Sequence, residues 1–453
     1  MRIELAFPMT AREIASACGA SLSESDDRVI EAITTDSRLV RPGDMFIALC
    51  GTHSDGHLFL PEARARGASL LVSQNRSEGC LSVKNTRGAL RAIAAHYLKA
   101  HRIPVVAITG SVGKTGTKDA IAAALSPRFC VHKTIENLNN ELGVSFTLLS
   151  RPKEAEIAVL EFGTNANGEI ATLARCAPPD IAVLTAIGRA HIGAFGSREA
   201  IFREKASLLT EMQDGLAVLN GDDPLLASLA PSIPTLRVGL SEGLSLTARR
   251  ISYSRYGTSY TLDGDGDGCR IFLRSVGSPH IYASLFAIAV SGHFGVPLSA
   301  ARDALFRMPY AKGRQTVSDA GGVLLIDDSY NASPESMVAA LELLSRLGRG
   351  HRRIAVLGDM LELGTAATAL HAELGRESAC CTDLLFSFGQ YAEDIARGAI
   401  EGGMQECDIR TLHSADLCRR ALLPILTDGD TVLIKASHAL GGHSIAEAIR
   451  ARG

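Results

Sequence analysis

The residues with the clearest chemistry lie in a glycine-rich segment, Gly-Ser-Val-Gly-Lys-Thr at 110–115. An apolar run at 105–108 precedes this segment, and a helix-like stretch follows it. Glycines allow successive backbone N–H groups to face a phosphate, Lys114 can reach terminal phosphates, and the hydroxyl of Thr115 can bind Mg²⁺. The spacing is shorter than the common G-x-x-x-x-G-K-[ST] pattern. Between a strand and a helix, the segment predicts a nucleoside triphosphate site rather than a glycine turn beside a solvated lysine.

Two side chains beyond other apolar runs could bind a metal ion. Glu161 directly follows the run at 157–160, and a charge at the end of a buried strand is costly unless a cation is nearby. His191 follows the next run and is expected at the same edge. A single histidine is more often structural, but the phosphate segment and Glu161 together favour a metal-binding role. Lys205, in a polar stretch, has the ordinary interpretation of a solvated helix face.

A repeated pattern of strands and helices positions these residues. Short apolar runs rich in β-branched residues end in polar or glycine clusters and precede helix-like stretches, which is typical of parallel α/β sheets. Open α/β sheets bind ligands beyond the carboxyl ends of their strands. The predicted strands are 105–108, 157–160, 181–184, 323–326, 354–357, 384–388 and 432–434. The candidate residues just beyond them are Lys114, Thr115, Glu161, His191, Asp327, Asp328, Asp359 and Lys435.

Three regions of the chain differ in their sequence pattern. The 453 residues suggest two to four domains, at about 100–200 residues per domain. The sequence before residue 100 has turn-rich motifs around a helical stretch at 60–66, which is typical of a small α/β module. The segment 310–322 is also turn-rich and is suited to a linker. We therefore predict domains at 1–100, 101–312 and 313–453.

Composition excludes several classes of function. With 46 Lys and Arg residues against 49 Asp and Glu residues, the net charge is −3, so there is no general basic field for nucleic acid or an anionic membrane. No apolar run has the length of a membrane span, and Glu4 and Glu13 interrupt the region where a secretory signal would need an apolar core. We expect a cytoplasmic protein.

The ten cysteines include no C-x-x-C pair, so we interpret them as reduced, mostly structural thiols.

One acidic segment imitates a calcium loop. Asp-Gly-Asp-Gly-Asp-Gly at 263–268 begins like an EF-hand, but its twelfth position is Arg274 where a bidentate Glu is required. The stretches 258–262 and 269–273 on either side are strand-like. A hairpin turn is therefore the better interpretation.

Taken in order, the motifs of the chain resemble those of the Mur ligase family. They are Thr-Gly-Ser-Val-Gly-Lys-Thr at 109–115, Asn-Leu-Asn-Asn-Glu-Leu-Gly at 137–143, Glu-Phe-Gly-Thr-Asn-Ala-Asn-Gly-Glu at 161–169, Asp-Asp-Ser-Tyr-Asn-Ala at 327–332 and Gly-Asp-Met-Leu-Glu-Leu-Gly at 358–364. In the first region, Thr-Asp-Ser-Arg at 35–38, Pro-Gly-Asp-Met-Phe at 42–46 and Asp-Gly-His at 55–57 are similar to the uridine-nucleotide end of such chains. The resemblance covers essentially the whole chain.

The resemblance implies an ATP-dependent amide ligase of three domains. These are a small N-terminal α/β domain for a UDP-sugar, a central P-loop ATPase domain and a C-terminal Rossmann-like domain for the incoming amine. Within the family, the chain is most similar to ligases that add D-alanyl-D-alanine to UDP-N-acetylmuramoyl tripeptide in peptidoglycan precursor synthesis. In such a reaction the carboxylate takes the γ-phosphate of ATP, and the amine displaces it from the acyl phosphate. The implied partners are these small molecules alone, bound to a monomer.

The resemblance also implies a role for individual residues. Thr115 and Glu161 would bind one Mg²⁺ and His191 a second, and Lys205 matches a family lysine that can be carbamylated into a metal ligand. The catalytic set is Lys114, His191, Lys205 and Arg314. The ATP-binding set is Gly110, Ser111, Gly113, Lys114, Thr115, Gly116, Thr117, Asn137, Asn140, Arg314, Asp327, Tyr330 and Asn331. The set for the other substrates is Ser37, Arg38, Asp55, His57, Asp359, Glu362, Lys435 and Ser437.

Some positions depart from the family pattern. Glu136 replaces a glycine, Gly116 replaces a hydroxyl residue, and Ala436 and His438 replace a glycine and an arginine. These changes keep open a second hypothesis, a paralogous ligase that activates a different carboxylate in a capsule, storage-polymer or secondary-metabolite pathway. A third hypothesis is a nucleotide-binding scaffold without catalysis. The complete set of predicted metal and phosphate residues argues against the scaffold.

Overall fold

The computed structural model describes residues 1–22, 26–51, 54–75, 78–264, 266–310 and 312–452. Within these ranges the strands form three sheets, of five, nine and six strands, and helices pack on them. The sheets follow one another along the chain, so we name the N-terminal, central and C-terminal domains after them. The predicted α/β class with three domains is confirmed.

The N-terminal domain has a mostly parallel sheet. Its strands are β1 (Arg2–Thr10), β2 (Val29–Thr34), β3 (Met45–Ile47), β4 (Leu70–Ser73) and β5 (Leu81–Ser82). Its helices are α1 (Ala11–Ala17), α2 (Leu60–Ala65) and α3 (Thr86–Ala100), with short 3₁₀ helices at Ser37–Leu39 and Gly56–Phe59. The strands lie in sequence order, and only the pair β1 and β2 is antiparallel.

The central domain has the largest sheet. Its strands are β6 (Val105–Thr109), β7 (Val131–Lys133), β8 (Ile157–Glu161), β9 (Ile181–Leu184), β10 (Leu216–Asn220), β11 (Thr235–Gly239), β12 (Leu246–Ser254), β13 (Gly257–Gly264) and β14 (Gly266–Leu273). Its helices are α4 (Lys114–Leu125), α5 (Glu141–Leu149), α6 (Glu169–Cys176), α7 (Ile192–Phe195), α8 (Arg198–Thr210), α9 (Pro224–Ala227), α10 (Ser278–His293) and α11 (Leu298–Arg307). The order is β14-β13-β12-β11-β10-β9-β6-β8-β7, parallel from β12 to β7.

Strand β6 explains why the run before the glycine segment is uninterrupted and apolar. Val105 and Ala107 face a hydrophobic core that is shared with the N-terminal domain. Val106 and Ile108 face a second core, formed with residues of α4 and α10. Because successive side chains of a strand point to opposite faces, a strand covered on both sides needs apolar residues at every position.

The N-terminal and central domains share one core rather than meeting at a loose surface. Ile3 of β1 and Leu90 of α3 belong to the same buried cluster as Val144 of α5. At its edge the guanidinium of Arg151 lies over the rings of Phe7 and Tyr97, at 5.4 and 6.0 Å from their centroids. The carboxyl edge of the central sheet is therefore held in a fixed relation to the N-terminal domain.

The C-terminal domain has a sheet with the order β15-β16-β20-β17-β18-β19. The strands are β15 (Thr316–Ala320), β16 (Val323–Asp328), β17 (Arg353–Gly358), β18 (Leu384–Phe388), β19 (Ile409–Leu412) and β20 (Thr431–Lys435). The helices are α12 (Pro334–Leu347), α13 (Ala367–Ala379), α14 (Ala392–Glu401), α15 (Ala415–Leu422) and α16 (Gly442–Arg450). Short 3₁₀ helices span Gly364–Ala366, Glu406–Asp408, Leu423–Ile425 and His438–Leu440. Only β15 and β16 pair antiparallel.

The seven strands predicted from apolar runs are all present, and each coincides with a strand of the central or C-terminal sheet. The acidic segment that imitates a calcium loop spans the end of β13 and the start of β14, which pair antiparallel with Leu262 opposite Cys269. Asp265 itself lies outside the described residues. The antiparallel register agrees with the predicted hairpin.

Two further expectations concern membrane contact and thiol chemistry. Among the described residues, no helix is both long and apolar enough to cross a membrane. The ten cysteines are free thiols, as predicted. The sulfurs of the adjacent Cys380 and Cys381 lie 3.6 Å apart.

Helices α13 and α14 approach each other backbone to backbone. A Cβ added to Gly375 would lie 2.0 Å from the carbonyl oxygen of Ile395. A Cβ added to Gly398 would lie 1.9 Å from the carbonyl oxygen of Ala372. Neither helix has room for a side chain at the crossing, so the two glycines set the distance between them.

We expect Gly398→Ala to destabilise the protein by about 1–3 kcal/mol, because the crossing must widen. The matched control is Gly292→Ala in α10, where no described atom lies within 4 Å of the added Cβ. This control should be neutral or stabilising by up to about 1 kcal/mol, because alanine favours helix more than glycine does. Thermal unfolding followed by circular dichroism tests both. Equal shifts in the two variants would contradict the close approach.

Candidate active site

A cavity of about 1130 Å³ lies beyond the carboxyl ends of β6, β8 and β9 of the central sheet and of β16 and β20 of the C-terminal sheet. All three domains contribute to its lining, since Arg87 of α3 reaches it from the N-terminal domain. The position agrees with the rule that open α/β sheets bind ligands at the carboxyl ends of their strands.

The predicted residues divide into two groups. Those that line the cavity are Ser111, Gly113, Lys114, Thr115, Gly116, Thr117, Asn137, Asn140, Glu161, His191, Arg314, Tyr330, Asn331, Glu362, Lys435 and Ser437. Among the described residues, those that do not line it are Ser37, Arg38, Asp55, His57, Gly110, Lys205, Asp327 and Asp359.

The glycine segment turns directly into a helix whose N-terminus faces the cavity. Gly113 is the N-cap of α4 with a φ of +85°, and Lys114 is the first helical residue. A Cβ on Gly110, which has a φ of +151°, would lie 1.9 Å from Oγ1 of Thr185, so the loop presses against the end of β9. Free N–H groups at a helix N-terminus, together with the helix dipole, suit a phosphate.

The lysine of this segment is held close to its own loop. Its Nζ donates to the carbonyl oxygen of Gly110 at 2.7 Å and more weakly to that of Ser111 at 3.4 Å. Burial lowers the pKa of Lys114 and the charge of Arg314 adds to the effect, whereas Glu161 opposes it. Lys114 and Arg314 line the same cavity and repel each other, which favours the binding of a polyanion there.

Glu161 is the residue whose environment most clearly calls for a cation. It ends β8, and only 2% of its surface is exposed. Its Oε1 accepts a hydrogen bond from Nδ2 of Asn139 at 2.8 Å, while its Oε2 is buried and has no hydrogen-bond partner among the described residues. A buried carboxylate oxygen without a partner is costly. Because oxygen ligands suit Mg²⁺, the carboxylate of Glu161 and the hydroxyl of Thr115, which line the same cavity, fit a magnesium site.

Sequence reasoning missed the residues that orient Glu161. Nζ of Lys118 donates to the carbonyl oxygen of Thr134 at 2.9 Å, and the Thr134 hydroxyl accepts from the backbone N–H of Glu161 at 3.0 Å. Asn139 lies inside the motif at 137–143, so a role for it in the site could have been predicted from that motif. Lys118 is buried on α4, and its position in the sequence does not indicate a role in the site. Asn140 lines the cavity but also caps α5, where its Oδ1 accepts from the N–H of Gly143.

His191 and Lys205 have different surroundings from those expected. His191 lines the cavity, and its Nδ1 contacts the carboxylate of Glu362 from the C-terminal domain. Lys205 is 2% exposed, so the interpretation as a solvated helix face is wrong. Burial lowers its pKa well below the ordinary value, and the charge of Lys114 adds to this. In the described part of the chain, its Nζ has neither a hydrogen bond nor an ion pair.

The C-terminal domain contributes two cations and a carboxylate. The guanidinium of Arg314 lies 4.1 Å from the ring centroid of Tyr330. Nζ of Lys435 donates to Oδ2 of Asp328 at 2.6 Å and to the carbonyl oxygen of Asn331 at 3.0 Å. These contacts fix the strand-end segment that follows β16 against β20.

Two predicted residues of this domain are placed elsewhere. Asp327 pairs with Arg450 at 2.6 Å, and its neighbour Asp328 lines the cavity instead, because adjacent residues of a strand point to opposite faces. The carboxylate of Asp359 accepts the N–H groups of Gln390 and Tyr391 at 2.7 and 2.9 Å. It orders the start of α14, so neither aspartate belongs to the lining that was predicted for it.

Comparison with known proteins identifies the family. Residues 29–108, 108–291 and 313–438 match the Mur ligase family catalytic domain, the Mur ligase middle domain and the Mur ligase glutamate ligase domain, respectively. The UDP-N-acetylmuramoyl-tripeptide–D-alanyl-D-alanine ligase of Bacillus subtilis is 34% identical over 442 residues, covering 95% of this chain and 96% of the relative. The chain belongs to the Mur ligase family. The resemblance seen in the motifs is confirmed.

Solved structures of Mur ligases have the same overall arrangement. MurF from Acinetobacter baumannii superimposes with a TM-score of 0.90 at 28% identity, covering 99% of this chain and 100% of that one. MurF from Thermotoga maritima, solved in complex with ADP, gives a TM-score of 0.84 at 30% identity, covering 93% and 97%.

In this Mur ligase, the predicted substrate residues of the N-terminal domain are engaged with their own neighbours. The hydroxyl of Ser37 donates to Glu62 at 2.7 Å, and Arg38 forms an exposed ion pair with Asp36 at 2.7 Å. A role for these residues in binding a substrate stays a prediction. Arg87, which was not predicted, lines the cavity from this domain, and it also donates to the carbonyl oxygen of Cys50 at 3.0 Å.

Cys50, Asp55 and His57 lie close enough together to hold a metal ion, but their hydrogen bonds argue against one. The backbone N–H of Gln74 donates to Nε2 of His57 at 3.2 Å, which places the ring proton on Nδ1. Nδ1 in turn lies 2.6 Å from the carboxylate of Asp55. A ring with its acceptor nitrogen already occupied offers no lone pair to a metal, so this is a hydrogen-bonded cluster.

We expect Glu161→Gln to abolish divalent-cation binding without unfolding the protein. The amide oxygen can still accept from Asn139, but the negative charge that a cation requires is lost. Titration calorimetry with Mn²⁺ in the presence of ADP measures the binding. Glu169→Gln, at an exposed residue of the same cavity wall, is the control and should bind as the wild type does. Wild-type affinity in Glu161→Gln would remove this residue from the metal site.

Proposed function

We propose that this chain is an ATP-dependent amide ligase that joins D-alanyl-D-alanine to UDP-N-acetylmuramoyl tripeptide in peptidoglycan precursor synthesis. The observation that carries the proposal is similarity over nearly the full length to a ligase of that name. The cavity supports it independently, since it combines a phosphate loop, a buried carboxylate that needs a cation, and side chains from all three domains.

ATP would bind with its phosphates at the N-terminus of α4. Lys114 would exchange its contacts with the loop carbonyls for the terminal phosphates, and Arg314 would approach them from the C-terminal domain. Thr115 and Glu161 would hold one Mg²⁺, and His191 would contribute to a second. When bound, Mg²⁺ neutralises phosphate charge and stabilises the transferred phosphoryl group.

The reaction would proceed in two steps. The carboxylate of the tripeptide attacks the γ-phosphorus, and the bond to ADP breaks. The amine of D-alanyl-D-alanine then attacks the acyl carbon, loses a proton, and expels phosphate. Carboxylate and ATP repel each other, so the first step depends on Lys114 and Arg314 to neutralise charge. Enclosure by the three domains would protect the acyl phosphate from water.

Lys205 would act as a carbamate. A buried amine with a lowered pKa has a larger uncharged fraction, which is the form that reacts with CO₂. The product is a carboxylate, which can bind a metal. This conversion would also remove the repulsion between Lys205 and Lys114.

We assign the UDP-sugar to the N-terminal domain (1–100), ATP to the central domain (101–312) and the incoming amine to the C-terminal domain (313–453). Glu362, Lys435 and Ser437 would face the amine, since all three line the cavity from the C-terminal side. We place the reaction in the cytoplasm, where ATP is available.

Phosphate release from ATP should require both UDP-N-acetylmuramoyl tripeptide and D-alanyl-D-alanine, and mass spectrometry should find a product heavier by one dipeptide. Omission of either substrate should reduce release to background. Lys114→Ala should reduce the rate by at least about 10²-fold, because it removes a charge that stabilises the transition state. Release that never depends on the tripeptide, from protein that binds ATP and Mg²⁺, would instead favour a paralogous ligase acting on another carboxylate.

Lys205→Ala should lose at least about tenfold in kcat, and short-chain carboxylates such as formate or acetate should restore part of it. The added carboxylate would occupy the space of the missing carbamate. Lys99→Ala, at an exposed position of α3, is the control and should neither lose activity nor respond to formate. A fully active Lys205→Ala variant would exclude a carbamate at this position.

A further inference from the structure

The segment 188–193 comprises the end of the connection from β9 and the first two residues of α7. We call it the 188–193 loop below, and it makes a double ion pair with the C-terminal domain. The backbone N–H and Nε of Arg189 both donate to Oε1 of Glu335, at 3.0 and 3.1 Å. Its Nη1 donates to both carboxylate oxygens of Glu373, at 3.0 and 2.9 Å. One central-domain side chain thus connects the first turn of α12 with α13.

The same loop makes a second contact two residues further on. Nδ1 of His191 contacts the carboxylate of Glu362, and the N–H of Gly193 donates to the Glu362 carbonyl oxygen at 3.2 Å. A Cβ on Gly193 would lie 2.6 Å from the backbone nitrogen of Gly364. The 188–193 loop is therefore seated closely on the C-terminal domain at both of its ends.

His191 and Glu362 share an uncommon backbone conformation. Their φ angles are +61° and +65°, in the left-handed region that residues other than glycine avoid. Such strain persists only where the surroundings enforce it, and it concentrates at functional sites. Here the two strained residues contact each other across the domain boundary, next to the cavity.

We propose that Arg189 is a positioning residue: its ion pairs with Glu335 and Glu373 hold the C-terminal domain against the 188–193 loop and so keep His191 at the cavity wall. Only Ala190 separates Arg189 from His191, so a displacement of the arginine backbone displaces the histidine as well. The inference rests on the proposed function, because it assigns His191 to the reaction.

The arrangement makes the site depend on the seated C-terminal domain. Glu335 lines the cavity together with Asn331 and Ser333, and Arg189 directly precedes Ala190 and His191, which also line it. Loss of the ion pairs would release both walls together. Ligand-binding residues would remain in place within each domain, but their spacing across the boundary would no longer be fixed.

Hydrogen exchange in the absence of substrates tests the seating. Arg189→Met keeps the length of the side chain and removes its charge, and Glu373→Gln removes only one of its two partners. Both variants should exchange faster than the wild type at 188–196 and 361–366, with the smaller effect in Glu373→Gln. The matched control is Arg175→Met, which breaks the ion pair of Arg175 with Glu211 inside the central domain. Unchanged exchange in Arg189→Met would overturn the proposal.

Steady-state kinetics test the consequence for the reaction. Arg189→Met should lower kcat by about 10- to 100-fold, as expected for misplaced catalytic groups, while KM for ATP should change little, because the phosphate loop is untouched. The charge-exchanged pair Arg189→Glu with Glu373→Arg should recover part of kcat. Faster exchange with an unchanged kcat would overturn the positioning role. A wild type without ligase activity would refute the proposed function instead, and the exchange result would still report on the seating.

Discussion

One buried charge sets the requirements of the cavity. Glu161 ends a strand that is covered on both faces, and one of its oxygens has no partner in the described structure, so its negative charge must be balanced from the cavity side. Lys114, the lysine of the phosphate-binding segment, is hydrogen-bonded to its own loop. A divalent cation at the unpartnered oxygen would meet the carboxylate's need. The same ion would also bring phosphates to the N-terminus of α4. One ion would therefore balance the charge of Glu161 and of the phosphates.

The strands could be predicted because they are buried on both faces. Every position of β6 must be apolar when one core lies on each side, and a run of this kind between polar clusters has few other interpretations. The phosphate loop was predictable for a related reason, since its glycines, lysine and threonine are close in sequence. Glu161 could be recognised because a charge after such a run contradicts its surroundings.

The site residues that could not be predicted depend on contacts between distant segments or on the direction of single side chains. Asp327 and Asp328 are adjacent, and only the pleat of β16 decides which of them faces the cavity. The roles of Lys118 and Arg87 depend on pairings with a carbonyl oxygen of another element, which leave no periodicity. The burial of Lys205 has the same origin: α8 packs it inside the protein, where the charge of Lys114 still acts on it, although the surrounding residues are polar enough for a solvated helix.

The residues that depart from the family pattern lie in different surroundings in the fold, so their expected effects on the cavity differ. Glu136 adopts a φ of +48°, so it occupies the backbone conformation suited to glycine, with its side chain exposed. Ala436 is fully buried and does not belong to the described lining. Only His438 both departs in charge and lies in the C-terminal wall of the cavity, 5.5 Å from the Tyr330 ring. That wall is where the amine would bind. An effect of His438 on the choice of substrate would therefore concern the amine.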